Sequence, residues 1–297
     1  MRGAAGVPEL VVPDATEDVP VADGLSLHVR RWTGGAGTPV LLVHGLASNA
    51  RLWDGVAVAL AGSGHPVAAV DLRGHGRSDR PDGGYDIPTV ADDLAALIDA
   101  LGWHRPVVAG QSWGGNVVLE LIARRPDVAA AAALVDGGTI DLRRRFPRWE
   151  QCAEALRPPE LEGTPLAEIE RRLRDAHPDW PETGIRGQLG CFDVRADGTV
   201  APWLTLERHL LALRGLWEHR PTERYGDVQV PVLLLAAGPD AEDEAARAEA
   251  VAELDAAAAA MGDARVTWMR GDHDLHAQHP IEVAALLADL AGGAEPS

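Results

Sequence analysis

Gly110-Gln111-Ser112-Trp113-Gly114-Gly115 stands between the apolar run Pro106–Ala109 and a helical pattern that begins near Trp113. A Gly-x-Ser-x-Gly between a strand and a helix forms a turn sharp enough to lift one serine hydroxyl clear of its neighbours. The serine backbone in such a turn is strained, so the residues two positions to either side must lack a Cβ that would strike the adjoining strand and helix. Ser112 is therefore the candidate nucleophile. A small-residue turn closing a βα unit would give the same letters, so the surroundings decide.

Working outward, short β-like runs alternate with helical patterns, the signature of βαβ units and a parallel sheet. Leu25–Trp32 alternates as one arm of an antiparallel edge hairpin whose other arm precedes Asp23-Gly24. Val40–Val43, Val67–Val70, Val107–Ala109 and Ala130–Val135 follow as strands three to six. Between them Val90, Leu94, Leu97, Ile98 and Leu101 form one apolar helical stripe, with Pro88 in its first turn. Val117, Val118, Leu121 and Ile122 repeat the pattern after Ser112, until Pro126 stops it. The alternation breaks at Gly137-Gly138 and resumes at Val230–Ala237, then an alanine-rich helix, the strand Arg265–Met269 and a closing helix over about Ile281–Leu290. This predicts an α/β fold with a mostly parallel, doubly wound sheet of about eight strands. Its core is residues 1–138 and 227–297, with a helical cap, residues 139–226, inserted after strand six.

Composition narrows the function. The net charge of −18 works against nucleic acid and anionic membrane surfaces, which need positive counter-charge. All 27 basic residues are arginine, which excludes lysine Schiff-base and lysine-dependent P-loop chemistry. Cys152 and Cys191 are too few for a disulfide framework and too far apart for a CxxC motif. No stretch approaches the roughly 18 to 20 consecutive apolar residues of a membrane span, and the first twenty residues hold no uninterrupted apolar export segment. The expectation is a cytoplasmic protein with a loose N-terminal leader. Four of the nine tryptophans, Trp149, Trp180, Trp203 and Trp217, fall in the insertion, where aromatic surface over a cleft suits an apolar substrate.

A serine hydroxyl needs a base, and the base needs an orienting acid. Eleven histidines compete. The serine-first chain order points downstream to Gly271-Asp272-His273-Asp274-Leu275-His276, where His273 follows the last strand by a short Gly-Asp turn and emerges at the carboxyl edge of the sheet with Ser112. His273 is the expected base. His276 and His279 lack an acidic or cysteine partner at metal-ligand spacing, so no metal is expected. Arg143-Arg144-Arg145 with Arg148 reads as a solvated helix face.

Four ordered motifs together resemble the α/β-hydrolase fold superfamily with an inserted cap: Leu42-Val43-His44-Gly45-Leu46, Asp71-Leu72-Arg73-Gly74-His75-Gly76-Arg77-Ser78, the Ser112 turn, and His273 seven residues before Pro280. The resemblance implies an oxyanion hole made by the backbone N–H groups of Leu46 and Trp113. The side chains of those two residues would then shape the pocket, and the Asp71–Ser78 loop would buttress the turn. In this superfamily the acid usually follows the seventh strand, often three residues after a glycine, but here Ala241 occupies that place and Asp240 is one residue early. Asp243 is a weaker choice. The rival is Asp136, at the end of strand six, which a right-handed crossover sets beside the nucleophile strand. Haloalkane dehalogenases and the fungal zearalenone lactonases resemble this second arrangement. Asp136 is the preferred acid and Asp240 the alternative.

The expected activity is a cofactor-independent serine hydrolase acting on a small-molecule ester or lactone through an acyl-enzyme. His44, Trp149, Trp203 and Trp217 are expected at the substrate. A serine at this turn argues against epoxide hydrolase and haloalkane dehalogenase chemistry. The same fold leaves open carbon–carbon hydrolysis, hydroxynitrile-lyase-like elimination, perhydrolase-type chemistry, or a low-turnover small-molecule receptor.

Overall fold

The interior strands are unbroken apolar runs because both of their faces are covered, as parallel strands in α/β proteins require. The computed structural model describes residues 7, 9–22, 24–238 and 244–293. In chain order its first half comprises β1 (Ala15–Ala22), β2 (Leu25–Trp32), β3 (Val40–Val43), α1 (Asp54–Gly62), β4 (Val67–Val70), α2 (Ile87–Ala100), β5 (Val107–Gln111), α3 (Trp113–Arg124) and β6 (Ala131–Val135). An inserted segment carries α4 (Leu142–Arg145), α5 (Trp149–Ala155), α6 (Leu166–Ala176), α7 (Glu182–Leu189), β7 (Phe192–Val194), β8 (Val200–Pro202) and α8 (Leu206–Glu218). The chain closes with β9 (Val232–Ala237), α9 (Glu244–Met261), β10 (Ala264–Met269), α10 (Leu275–Gln278) and α11 (Pro280–Gly293).

Eight strands form one sheet in the order β1-β2-β4-β3-β5-β6-β9-β10. The β1–β2 and β2–β4 pairs are antiparallel and the rest of the sheet is parallel. Every residue of β3, β4, β5 and β6 is buried, whereas β1 at one edge is mostly exposed and β10 at the other half-buried. Helices cover both faces. On one, Val56 and Leu60 of α1 and Val283 and Leu287 of α11 pack against β3, β5 and β9; on the other, Val90, Leu94 and Leu97 of α2 and Val117 and Leu121 of α3 pack against their opposite sides. Asp86 caps α2 by accepting from the Thr89 amide at 3.0 Å, with Pro88 fixing the first turn.

The inserted segment departs from an all-helical cap, because β7 and β8 pair as an antiparallel hairpin. Strands of three residues are too short to register as a period of two in sequence. The segment also divides in its packing. Leu142, Cys152, Ala212, Leu213 and Leu216 join the main core, while Ile169, Ile185, Leu189, Phe192 and Val200 form a separate cluster against Leu52 and Ala277. Among the described residues no helix is long and apolar enough to cross a membrane.

Candidate active site

Register brings the site together. Gln111 of β5 pairs with Val135 of β6, and Val135 with Leu235 of β9. Ser112 and Asp136, each one residue past its strand, therefore emerge side by side. The Ser112 amide donates to the Val135 carbonyl at 3.0 Å and the Asp136 amide to Leu235 at 2.7 Å, so the ladder continues one step beyond the strands. Ser112 then turns into α3 at φ 52°, ψ −121°, a conformation that costs a residue with a Cβ about 1–3 kcal/mol. Small neighbours make that turn possible. A Cβ at Gly110 would overlap the Gly114 carbonyl, and one at Gly137 would overlap the Ser112 carbonyl and lie 2.6 Å from its nitrogen. Gly137→Ala is thus expected to lower stability by about 1–3 kcal/mol through overpacking and to distort the serine, which thermal unfolding together with an activity assay would reveal.

His273 lies in the loop between β10 and α10, where its Nδ1–H donates to Asp136 Oδ2 at 2.5 Å. The other carboxylate oxygen, Oδ1, accepts from the Ala237 amide at 3.0 Å. Asp136 is half-buried and the His273 ring half-exposed. The hydrogen bond to Asp136 raises the His273 pKa above the ordinary imidazole value; partial burial opposes it and the charges of Asp136, Asp274 and Asp272 reinforce it. Asp240 and Asp243 lie outside the described residues.

Gln111 is a member of this site that the motif letters do not reveal. Its Nε2 donates to the His273 carbonyl at 3.1 Å, so the residue before the candidate nucleophile holds the backbone of the candidate base. Asp272 is another. Its Oδ2 accepts from Trp180 Nε1 at 2.8 Å and from His177 Nδ1 at 3.0 Å, and Gln278 hydrogen-bonds Asp179, so the turn between α6 and α7 grips the loop that carries His273. Only adjacency to His273 signals Asp272 in the sequence.

Of the two expected oxyanion donors, Leu46 lies on the loop after β3 and Trp113 opens α3. Among the described residues neither the Leu46 nor the Trp113 amide has an intramolecular acceptor. Beneath them, Leu72 N–H donates to His44 Nε2 at 3.0 Å, His44 Nδ1–H to the Gly45 carbonyl at 2.7 Å, and Ala47 N–H to His75 Nε2 at 3.2 Å. Asp71 accepts from the Ala50 and Arg77 amides at 2.7 and 2.9 Å, and Arg73 is anchored on Asp93 of α2 by two bonds of 2.6 Å. The Asp71–Ser78 loop thus braces the 44–50 loop. Burial drives the His44 pKa down to about 4 and His75 to about 3, keeping both rings neutral acceptors at neutral pH.

Several expected contacts fall elsewhere. His44 is wholly buried with both ring nitrogens engaged, so it presents nothing to a substrate and instead supports the loop. The Trp113 indole is likewise fully buried, stacked on His75 at 5.4 Å, whereas Leu46 is half-buried. Trp217 is 8% exposed, donates to the Phe146 carbonyl at 2.8 Å and meets Trp149 edge-on at 6.0 Å, with Arg143 over its face. Trp203 is half-buried and lines a narrow cleft of about 30 Å³ with Phe192, Asn49, Arg51, Gly76 and Arg77. His276 lies buried against Trp53, 4.2 Å between ring centres.

The model of the alpha/beta hydrolase fold family matches residues 38–172. Over 118 residues the chain is 40% identical to a non-heme chloroperoxidase of Streptomyces lividans, a match covering 39% of this chain and 43% of that protein. A 2-(acetamidomethylene)succinate hydrolase of Mesorhizobium japonicum is 29% identical over 216 residues, 71% of this chain and 73% of the relative. The chain thus spans less than half the length of the first curated relatives it matches. A solved E-2-(acetamidomethylene)succinate hydrolase superposes with a TM-score of 0.77 at 23% identity, covering 94% of this chain and 99% of that one. Shared architecture reaches across nearly the whole of both chains, and this chain has the α/β-hydrolase fold.

Proposed function

We propose that the chain is a cofactor-independent serine hydrolase of carboxylic esters or lactones, with Ser112, His273 and Asp136 as its triad and residues 139–226 as a cap. One observation carries the reading above the others: His273 Nδ1–H donates to Asp136 at 2.5 Å, and the His273 backbone is tied to Gln111, next to the strained serine. That contact fixes the tautomer, leaving Nε2 free to act as a base. His273 then takes the Ser112 proton as Oγ attacks the carbonyl, and the resulting imidazolium is stabilised by Asp136. The Leu46 and Trp113 amides receive the oxyanion, each such donor being worth about 10²–10³ in rate. His273 returns the proton to the leaving alkoxide, and water, activated by the same ring, hydrolyses the acyl-enzyme.

The two relatives named as 2-(acetamidomethylene)succinate hydrolases support hydrolysis as the reaction class. The cleft that Trp203 and Phe192 border is lined by neither Ser112 nor His273 and carries Glu9, Arg30, Arg51 and Arg77, so it assigns no apolar group to the substrate, while Trp149 and Trp217 act through the packing of the cap. A series of esters and lactones of graded size, run on the wild type and Ser112→Ala in parallel, tests the reading. Equal rates in the two proteins for every compound would remove it.

The raised His273 pKa has a kinetic consequence whose sign is fixed. The neutral ring is the active form, so kcat/KM should climb with pH through a value above the ordinary 6.5 of imidazole. In Asp136→Asn the principal cause of the shift is gone, and the acid limb should move to lower pH. A pH–rate profile in which the limb stays fixed would detach Asp136 from His273.

A further inference from the structure

Asp136 holds a backbone conformation that must be enforced from outside. Its φ is 42°, in the left-handed region, where residues other than glycine persist when the surrounding structure holds them there. The Asp136 amide is fixed on Leu235, but the following turn, Gly137-Gly138, opens the inserted segment and needs an anchor of its own.

That anchor is a buried polar chain. Gly138 N–H donates to Asn116 Oδ1 at 3.0 Å. Asn116 Nδ2 donates to the Ile140 carbonyl at 2.9 Å and to His219 Nδ1 at 3.1 Å. His219 Nε2–H donates to Glu120 Oε2 at 3.3 Å, and Arg224 Nε lies 3.0 Å from the same oxygen. Asn116 is fully buried, Glu120 is 2% exposed and His219 7%. Asn116 and Glu120 sit one turn apart on α3, the helix that Ser112 begins, and His219 caps the carboxyl end of α8, where the insertion returns to the core.

Donor and acceptor inventories make the order of this chain compulsory. Burial pushes the Glu120 carboxyl up, but the His219 hydrogen bond and the Arg224 charge outweigh it and hold the pKa below its usual value, so it is an acceptor. An acceptor there requires the hydrogen on His219 Nε2, which leaves Nδ1 to accept. Nδ1 can accept only from the amide nitrogen of Asn116, and that orientation turns Asn116 Oδ1 toward Gly138. The identity of the group behind His219 thus determines how the turn after Asp136 is held.

We propose that Asn116 and His219 are positioning residues for Asp136, fixing the Gly137-Gly138 turn and through it the carboxylate presented to His273. The proposal rests on the triad reading above and extends it: the two ends of the insertion are clasped together so that the acid stays in register with the base.

The test compares His219→Phe, which removes both ring hydrogen bonds, with His219→Gln, whose amide oxygen and nitrogen can replace Nδ1 and Nε2–H. Each variant is assayed for kcat, KM and pH profile on an ester substrate, and the His273 ring is titrated by NMR without substrate. His219→Phe should lower kcat by about tenfold or more at nearly constant KM, as small misplacements of reacting groups do. Its His273 titration should fall toward the ordinary imidazole range, and His219→Gln should restore both. Asn116→Ala, which deletes the Gly138 acceptor together with the donor to Ile140 and His219, gives the same readout should His219→Phe not fold. A lowered melting temperature with the His273 titration and kcat unmoved would overturn the proposal. The triad reading has a separate control: if Asp136→Asn retains full activity, that reading fails whatever the His219 variants do.

Discussion

Ser112→Ala is expected to lower kcat for a p-nitrophenyl ester by about 10⁴–10⁶-fold, because loss of the nucleophile leaves only the oxyanion donors and binding to act on the substrate. The fold should survive the change. Ser112 is half-buried, and among the described residues its hydroxyl makes no hydrogen bond, so the variant keeps the backbone strain, loses one hydroxyl and gives up little packing. Melting temperature and far-UV circular dichroism should therefore match the wild type while turnover disappears. Parallel loss of both would mean that the residue serves the fold instead.

Asp136→Asn carries the second large effect, a fall of up to about 10⁴ in kcat, the cost of leaving the catalytic imidazole in the wrong tautomer. An asparagine can present its amide N–H to His273 Nδ1, which would move the ring hydrogen to Nε2 and block the base. Asp240→Asn should leave kcat close to the wild-type value, since Asp136 already occupies His273 Nδ1 at 2.5 Å. Full rate in both variants would mean that no carboxylate orients His273. Loss in Asp240→Asn alone would transfer the role to Asp240.

The sheet was legible because its signals are local. Val40–Val43 and Val67–Val70 read from the sequence with the same bounds as β3 and β4, since each is an apolar run with a proline before it and a polar residue after it. The placement of Asp136 beside Ser112 followed from topology, two parallel strands joined by one crossover helix. The side chains that serve the site through distant partners were not legible. Gln111 meets a carbonyl 162 positions away and Asn116 an imidazole 103 positions away, and no periodicity encodes such pairings. Tryptophan in the insertion signals burial of aromatic surface without saying against what: Trp217 turned inward, Trp180 reached the His273 loop through Asp272, and Trp203 borders a cleft. His44 shows the same limit, since a histidine in a motif reads alike whether its ring faces substrate or, as here, is spent on Leu72 and Gly45.

The central claim is that Ser112 is a primed nucleophile, and a fluorophosphonate probe followed by peptide mass spectrometry addresses it without knowledge of the substrate. The account predicts stoichiometric labelling confined to the peptide containing Ser112, slowed strongly in His273→Ala and Asp136→Asn. Labelling at another residue, or tight binding of small ligands with Ser112 left unmodified, would contradict it.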